Sequence, residues 1–270
     1  DRLQHPSFDG ARSELFERVR DAHAAGIPVL IPTFGVGRAQ EILQLFRERE
    51  DDLTMALNTT TGGGESGEET PSIIYDGLIT DSMPIYEVFC QDAYVGESIL
   101  NYRINSGDTE PFTPACASTP ETMGEREQVL DGESAPIIVA PSGMLTGGWS
   151  PYYLRDLARQ YEEARVVFIG YQAANTPGRT LLNATDETAS VSVRVLPAPD
   201  EYDGETDAFE FHKETVTIPT AWVEQVGGMS AHAAGNTLLE FARDVNPTTI
   251  SLVHGDPDAA SELAAHLTSN

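Results

Sequence analysis

Three short apolar runs, PVLIP (28–32), PIIVA (136–140) and RVVFIG (165–170), constrain this chain more than any other feature. Each is bounded by turn residues and reads as a buried strand. Each also ends in a Gly-rich polar stretch: PTFGVGRAQE (32–41), PSGMLTGG (141–148) and GYQAANTPGR (170–179). Helical periodicity follows the first run over 36–49, with Ile42, Leu43 and Phe46 on one face. It follows the second over 151–163, with Tyr153, Leu154 and Leu157 facing inward. A further helix over 9–25, carrying Leu15, Val19 and Ala22, is stopped by Gly26. Strands alternating with helices define an α/β class with a largely parallel sheet. A chain of 270 residues with 40% apolar content builds one large or two ordinary domains.

The remaining segments are read more coarsely. Residues 58–71 (NTTTGGGESGEETP) have loop composition, 84–95 read as a helix and 104–119 as irregular. Alternation over 190–196 and 207–218 suggests two strands joined by an acidic loop. A strand at 220–226, a helix at 235–245, a strand at 249–253 (TISLV) and a helix at 257–267 complete the reading. No run of 18 apolar residues and no basic-then-apolar leader is present, so a cytoplasmic protein without a membrane span is expected. Cys90 and Cys116 have no metal-binding spacing and are expected to be small buried residues of an intracellular protein. The first residue is Asp1 rather than Met, as in a processed chain, a fragment or a cut-out region.

The charge decides less than its size suggests. The chain has 43 acidic and 16 basic residues, a net of -27, and Lys213 is its single lysine. The acidic residues are spread among apolar runs, which excludes an acidic tail, and a basic partner would favour one acidic block. Adaptation to high salt fits best: large net charge maintains solubility, and the Debye length falls to roughly 3 Å at 1 M salt. An environment that charges the whole surface removes global charge as an argument against nucleic-acid binding.

In open α/β sheets ligands collect at the C-terminal ends of strands, where the three Gly-rich loops lie. Two glycines between the first strand and its helix let the backbone approach a ligand, and the helix N-terminus favours an anion. Arg38 in that first turn opposes the helix dipole. It calls for a phosphate or a carboxylate partner, and a tight turn with a structural ion pair is the alternative. A P-loop is excluded because GK[ST] is lacking. His232 (SAH, 230–232) and His254 (LVHGD, 252–256) are candidate metal ligands or ordinary structural histidines. Two histidines do not complete a hydrolytic zinc site, which needs three protein ligands. From the residues alone, the chain is an α/β protein with a polar edge suited to phosphate.

Six stretches then line up in one order: IPTFGVGRAQEIL (31–43), DGLITDSMPIYEVF (76–89), APSGMLTGG (140–148), GYQAANTPGR (170–179), GGMSAHAAGNTLLEF (227–241) and LVHGD (252–256). Together they resemble the β-CASP family of metallo-β-lactamase-fold nucleases, which includes RNase J and the archaeal cleavage and polyadenylation factors. The poverty in lysine resembles haloarchaeal members. The resemblance implies a Rossmann-like β-CASP domain over 1–227 and the C-terminal segment of a metallo-β-lactamase αββα fold over 228–270. It implies a zinc-dependent ribonuclease of RNA processing, including mRNA 3′-end processing, with two zinc ions in the full-length protein. His232 matches a catalytic histidine that protonates the leaving group, and His254 a zinc ligand. Arg38, Ser142, Arg179 and Ser230 would face RNA phosphates. A homodimer is expected by the same likeness. The family's HxHxDH motif would precede Asp1, so this chain by itself is expected to hold an incomplete site and to be inactive. Ala234 stands where the family's SAHAD motif has Asp. A non-catalytic subunit that binds RNA or a nuclease partner is therefore the second reading, and a nuclease or phosphoesterase acting on DNA or small esters the third.

Overall fold

The computed structural model describes residues 6–60, 72–89, 96–131, 135–196, 211–229, 233–253 and 257–268. Helix α1 (Phe8–Ala24) is capped by Ser7, whose Oγ accepts from the Gly10 amide, and leads into β1 (Val29–Pro32). Helices α2 (Arg38–Glu48) and α3 (Glu50–Thr60) precede β2 (Ile73–Tyr75). Next come α4 (Leu78–Phe89), α5 (Glu97–Ser106), β3 (Ala117–Ser118), α6 (Met123–Asp131) and β4 (Ile137–Ala140). Helix α7 (Ser150–Gln160), β5 (Arg165–Phe168) and the short α8 (Pro177–Leu182) follow. Strands β6 (Thr188–Val195), β7 (His212–Pro219) and β8 (Val223–Gln225), then α9 (Gly235–Val245) and α10 (Pro257–Thr268), complete the order.

Six strands form one sheet in the order β3-β2-β4-β1-β5-β8, parallel at every pairing. The central strands β1 and β4 are buried along their whole length, in register from Val29 opposite Ile137 to Pro32 opposite Ala140. Burial on both faces is why their sequences are continuous apolar runs rather than alternating ones. Successive side chains point to opposite faces. Val29 and Ile31 thus join Leu15, Phe16, Ile42 and Phe46 in the core under α1 and α2. Leu30 joins Tyr152, Leu154, Leu157 and Phe168 in the core under α7. The antiparallel pair β6–β7 closes this second core; β6 alternates exposed and buried residues, burying Val191, Val193 and Val195.

The chain leaves β1 toward α2 on one face of the sheet and leaves β4 toward α7 on the other. The adjacent ends of β1 and β4 are therefore the topological switch point, where such sheets open a crevice.

The α/β class and the buried runs are as expected, and several segments differ. Residues 58–60 complete α3 rather than opening a loop, and the rest of the 58–71 segment lies outside the described residues. The helix expected at 84–95 begins earlier, at Leu78, and carries Pro84 in its interior; 90–95 lie outside the described residues. The segment 104–119, expected to be irregular, includes the end of α5 and the edge strand β3. The stretch 220–226 opens as a 3-10 turn, Thr220–Trp222, before β8.

Residues 249–253 are not a strand. Ile250, Leu252 and Val253 are exposed, and no strand pairs with them among the described residues. An apolar run becomes a strand only where a neighbour completes its hydrogen-bond ladder. Cys116 is half-buried rather than buried, and burial together with the Glu50 carboxylate pushes its thiol up to about 12. Cys90 lies outside the described residues. No described helix is long and apolar enough to cross a membrane.

Candidate functional site

The loop after β1 is held by its own helix. Gln40, fully buried in the first turn of α2, donates from Nε2 to the Gly35 carbonyl at 3.2 Å and to Ser82 Oγ at 2.9 Å. Its Oε1 accepts from the Gly37 amide at 2.6 Å. Ser82 of α4 donates to the same Gly35 carbonyl at 2.9 Å. The Thr33 amide donates to Ala140 O at 3.0 Å, which ties this loop to the end of β4.

The loop after β4 is folded on itself and pressed against the first. Ser142 Oγ accepts from the Thr146 amide at 2.9 Å and lies 3.1 Å from Thr146 Oγ1, while Ser150 Oγ donates to the Ser142 carbonyl at 2.6 Å. A Cβ on Gly143 would stand 3.3 Å from the Thr33 carbonyl carbon, so the two backbones meet where a side chain would crowd them. The third loop locks onto the second. Gln172, 2% exposed, donates from Nε2 to the Gly143 carbonyl at 2.8 Å, and the Gly178 amide donates to Met144 O at 3.2 Å. The three strand-end loops are thus one interlocked surface at the switch point.

Beneath it lies a buried charged cluster that spacing alone did not reveal. Asp76, at the end of β2, accepts two 2.8 Å bonds from Arg126 and a third of 2.8 Å from the Tyr153 hydroxyl. It also accepts from the Gly77 amide at 2.6 Å. Arg126 donates to Pro120 O at 3.1 Å and stacks 3.8 Å over the Trp149 ring. Burial works against the Arg126 charge, yet the Asp76 carboxylate more than offsets it and the guanidinium is held above its ordinary value. Burial, and then the Asp76 charge, raises Tyr153 far above its ordinary value. The cluster joins the ends of β2 and α6 to α7, and so fixes the floor of the loops.

Among the residues expected at the site, Arg38 opens α2 and its Nη1 donates to Glu41, one turn on. A carboxylate partner for Arg38 is thus supplied within its own helical turn. Burial pushes the Glu41 carboxyl up, against the pull of Arg38 and Arg12. Ser142 lies in the second loop. Arg179, in α8, donates from Nε to the Gln172 carbonyl at 2.6 Å and places its guanidinium 5.2 Å over the Tyr171 ring. Arg38, Ser142 and Arg179 are thus carried by the three strand-end loops or the helices they open. Ser230, His232 and His254 lie outside the described residues.

No group of three His, Cys, Asp or Glu placed to hold a metal ion occurs among the described residues. The described residues alone do not make a zinc site. Gln40, Asp76, Ser82, Arg126 and Gln172 were not singled out in the sequence, and Tyr153 was read there only as an inward-facing helix residue. Gln40, Asp76, Ser82 and Gln172 sit inside the resembling stretches, but the contacts that join separate elements are distant in sequence: Gln40 meets Ser82 across 42 residues, and Asp76 meets Arg126 and Tyr153 across 50 and 77.

Most of the described positive charge is engaged within the chain itself. Among the described residues ten arginines form ion pairs with carboxylates of this same chain. Positive charge is therefore largely neutralised internally.

Comparison with known proteins identifies two matching domain families. The Beta-Casp domain matches residues 39–181, more than half of the chain, and the Zn-dependent metallo-hydrolase RNA specificity domain matches residues 215–270. Similar curated proteins include the transcription termination factor FttA of Methanocaldococcus jannaschii, 28% identical over 96% of this chain and 36% of its own length. FttA of Pyrococcus horikoshii is 29% identical over 95% of this chain and 34% of its own. RNase aCSPSF2 of Saccharolobus solfataricus is 25% identical over 97% of this chain and 42% of its own. The chain spans about a third of the length of the FttA relatives it matches, 36% and 34%. The parallel sheet, the interlocked loops at its switch point and the two domain matches agree: this chain belongs to the β-CASP family of metallo-β-lactamase-fold nucleases.

Proposed function

We propose that the natural gene product carrying this chain is a zinc-dependent ribonuclease of RNA processing, acting on single-stranded transcripts. The observation that carries the reading is the interlocked surface of three strand-end loops, built from the stretches that resemble the family's nucleases. The names of its relatives, a transcription termination factor and an RNase, support RNA as the substrate.

In this reading residues 1–227 are the β-CASP domain and 228–270 a segment of the metallo-β-lactamase domain. His254 is a zinc ligand, and a pair of zinc ions supplies the Lewis acidity for phosphodiester hydrolysis when bound. His232 holds the proton delivered to the leaving oxygen. Ser230, Ser142, Arg38 and Arg179 face the RNA backbone. The Gln40, Gln172 and Asp76 contacts keep the loops in one geometry, so the substrate meets a preorganised surface. A cytoplasmic homodimer adapted to high salt completes the proposal; the net charge of -27 supports the last point.

The test is cleavage of a labelled single-stranded RNA by the natural gene product in concentrated potassium chloride. Cleavage that a chelator abolishes and zinc restores is expected. RNA binding with no cleavage under any metal would instead make the protein a binding subunit, the reading that Ala234 favours.

A further inference from the structure

The rim of the switch-point crevice carries an aromatic side chain that several contacts hold out of this chain's own core. Phe34 is 52% exposed, although its neighbour Thr33 is 1% exposed. The backbone is pinned on both sides of it, by the Thr33 amide on Ala140 O and by the Gly35 carbonyl under Gln40 and Ser82. Tyr171, 50% exposed, stands at the end of the neighbouring strand β5. Strands β1 and β5 pair in parallel, with Leu30 opposite Val166, so the loops that carry Phe34 and Tyr171 leave the same edge of the sheet. Tyr171 already bears the Arg179 guanidinium. A rigid loop that presents an aromatic ring at a ligand-collecting edge is not explained by core packing.

We propose that Phe34, together with Tyr171 on the loop after the neighbouring strand, is the platform on which bases of single-stranded RNA stack, and that stacking rather than phosphate neutralisation provides most of the grip. The proposal deepens the ribonuclease reading and rests on it. Charge favours stacking over the alternative. A chain of net charge -27, with ten described arginines paired to its own carboxylates, has little cation left to displace counterions from a phosphate backbone. Every base has a π-face, and stacking on an aromatic side chain needs no positive charge. A guanidinium over Tyr171 adds a planar cation at the same rim.

The experiment uses the natural gene product and a short single-stranded RNA carrying 2-aminopurine, with binding read by fluorescence across a potassium chloride series. The expected results are quenching of the base on binding and a Kd that changes little with salt. Phe34→Ala is expected to weaken binding about tenfold and relieve the quenching. Phe34→Trp should restore both, and the melting temperatures of both variants should match the parent. If the parent binds and Phe34→Ala binds equally well, or if affinity falls steeply with salt, the stacking proposal is overturned while the ribonuclease reading stands. If the parent binds no RNA at all, both fail together.

Discussion

Replacing Asp76 by alanine is expected to destabilise the protein by about 3–5 kcal/mol, because it leaves the Arg126 guanidinium buried without its partner. Arg126 and Asp76 side chains are 9% and 1% exposed, so water does not screen the loss. The Tyr153 hydroxyl loses its acceptor in the same step. Removing both charges is a different case. The double variant Asp76→Ala/Arg126→Met discards the desolvation penalty with the attraction, and it is expected to be more stable than Asp76→Ala alone. Denaturant unfolding of the parent, the two single variants and the double variant at one fixed salt concentration gives the coupling. A double variant at least as unstable as Asp76→Ala would mean that the cluster is held by its packing on Trp149 rather than by charge.

Gly148→Ala is the second change with a large expected effect. Gly148 has φ +71, and a Cβ there would stand 2.6 Å from Pro141 O and 2.9 Å from the Pro141 carbonyl carbon. Both are backbone atoms, and Pro141 O already accepts from the Ser150 amide at 2.7 Å. No flexible side chain can give way, so the residue must carry a strained φ and push the loop apart, at a cost of about 3 kcal/mol. The effect should reach the site as well. The second loop carries Ser142 and contacts both of its neighbours, so a fall in RNA affinity is expected beyond what the lost stability explains. A variant that melts lower yet binds RNA with parental affinity would show that the loop's shape is not used.

How far the amino-acid sequence discloses this molecule depends on the range of the interactions. Strands β1, β4 and β5 are legible because both of their faces are buried, which leaves uninterrupted apolar runs. The hairpin β6–β7 is legible for the opposite reason, since one wet face imposes alternation. Strand β2 is only Ile73–Tyr75 and gives a pattern too short to read. Helix α5 places its apolar residues Ile99, Leu100, Tyr102 and Ile104 on no single face, and α6 buries only Arg126 and Leu130, so neither offers an apolar stripe to read. The run 249–253 has the composition of a strand without a described partner.

The site divides in the same way. The Gly-rich loops are legible one by one, from local turn chemistry after each strand. Their interlocking through Gln172 and Gly143, and the Asp76–Arg126–Tyr153 cluster beneath, join residues that only the sheet order brings together. For Arg38 the sequence allowed a phosphate or a carboxylate, and Glu41 three residues later is the local partner. The deficit of positive charge is legible in the composition, whereas the pairing of arginines with their own chain's carboxylates depends on which residues the fold brings together.

The most direct measurement of the central claim is the zinc content and RNA cleavage rate of the natural gene product, set beside its His254→Ala and His232→Ala variants. A zinc ribonuclease with these roles predicts bound zinc in the parent, reduced zinc and no detectable cleavage in His254→Ala, and parental zinc with cleavage lowered by about a hundredfold or more in His232→Ala. Parental zinc and parental cleavage in His254→Ala would contradict the account.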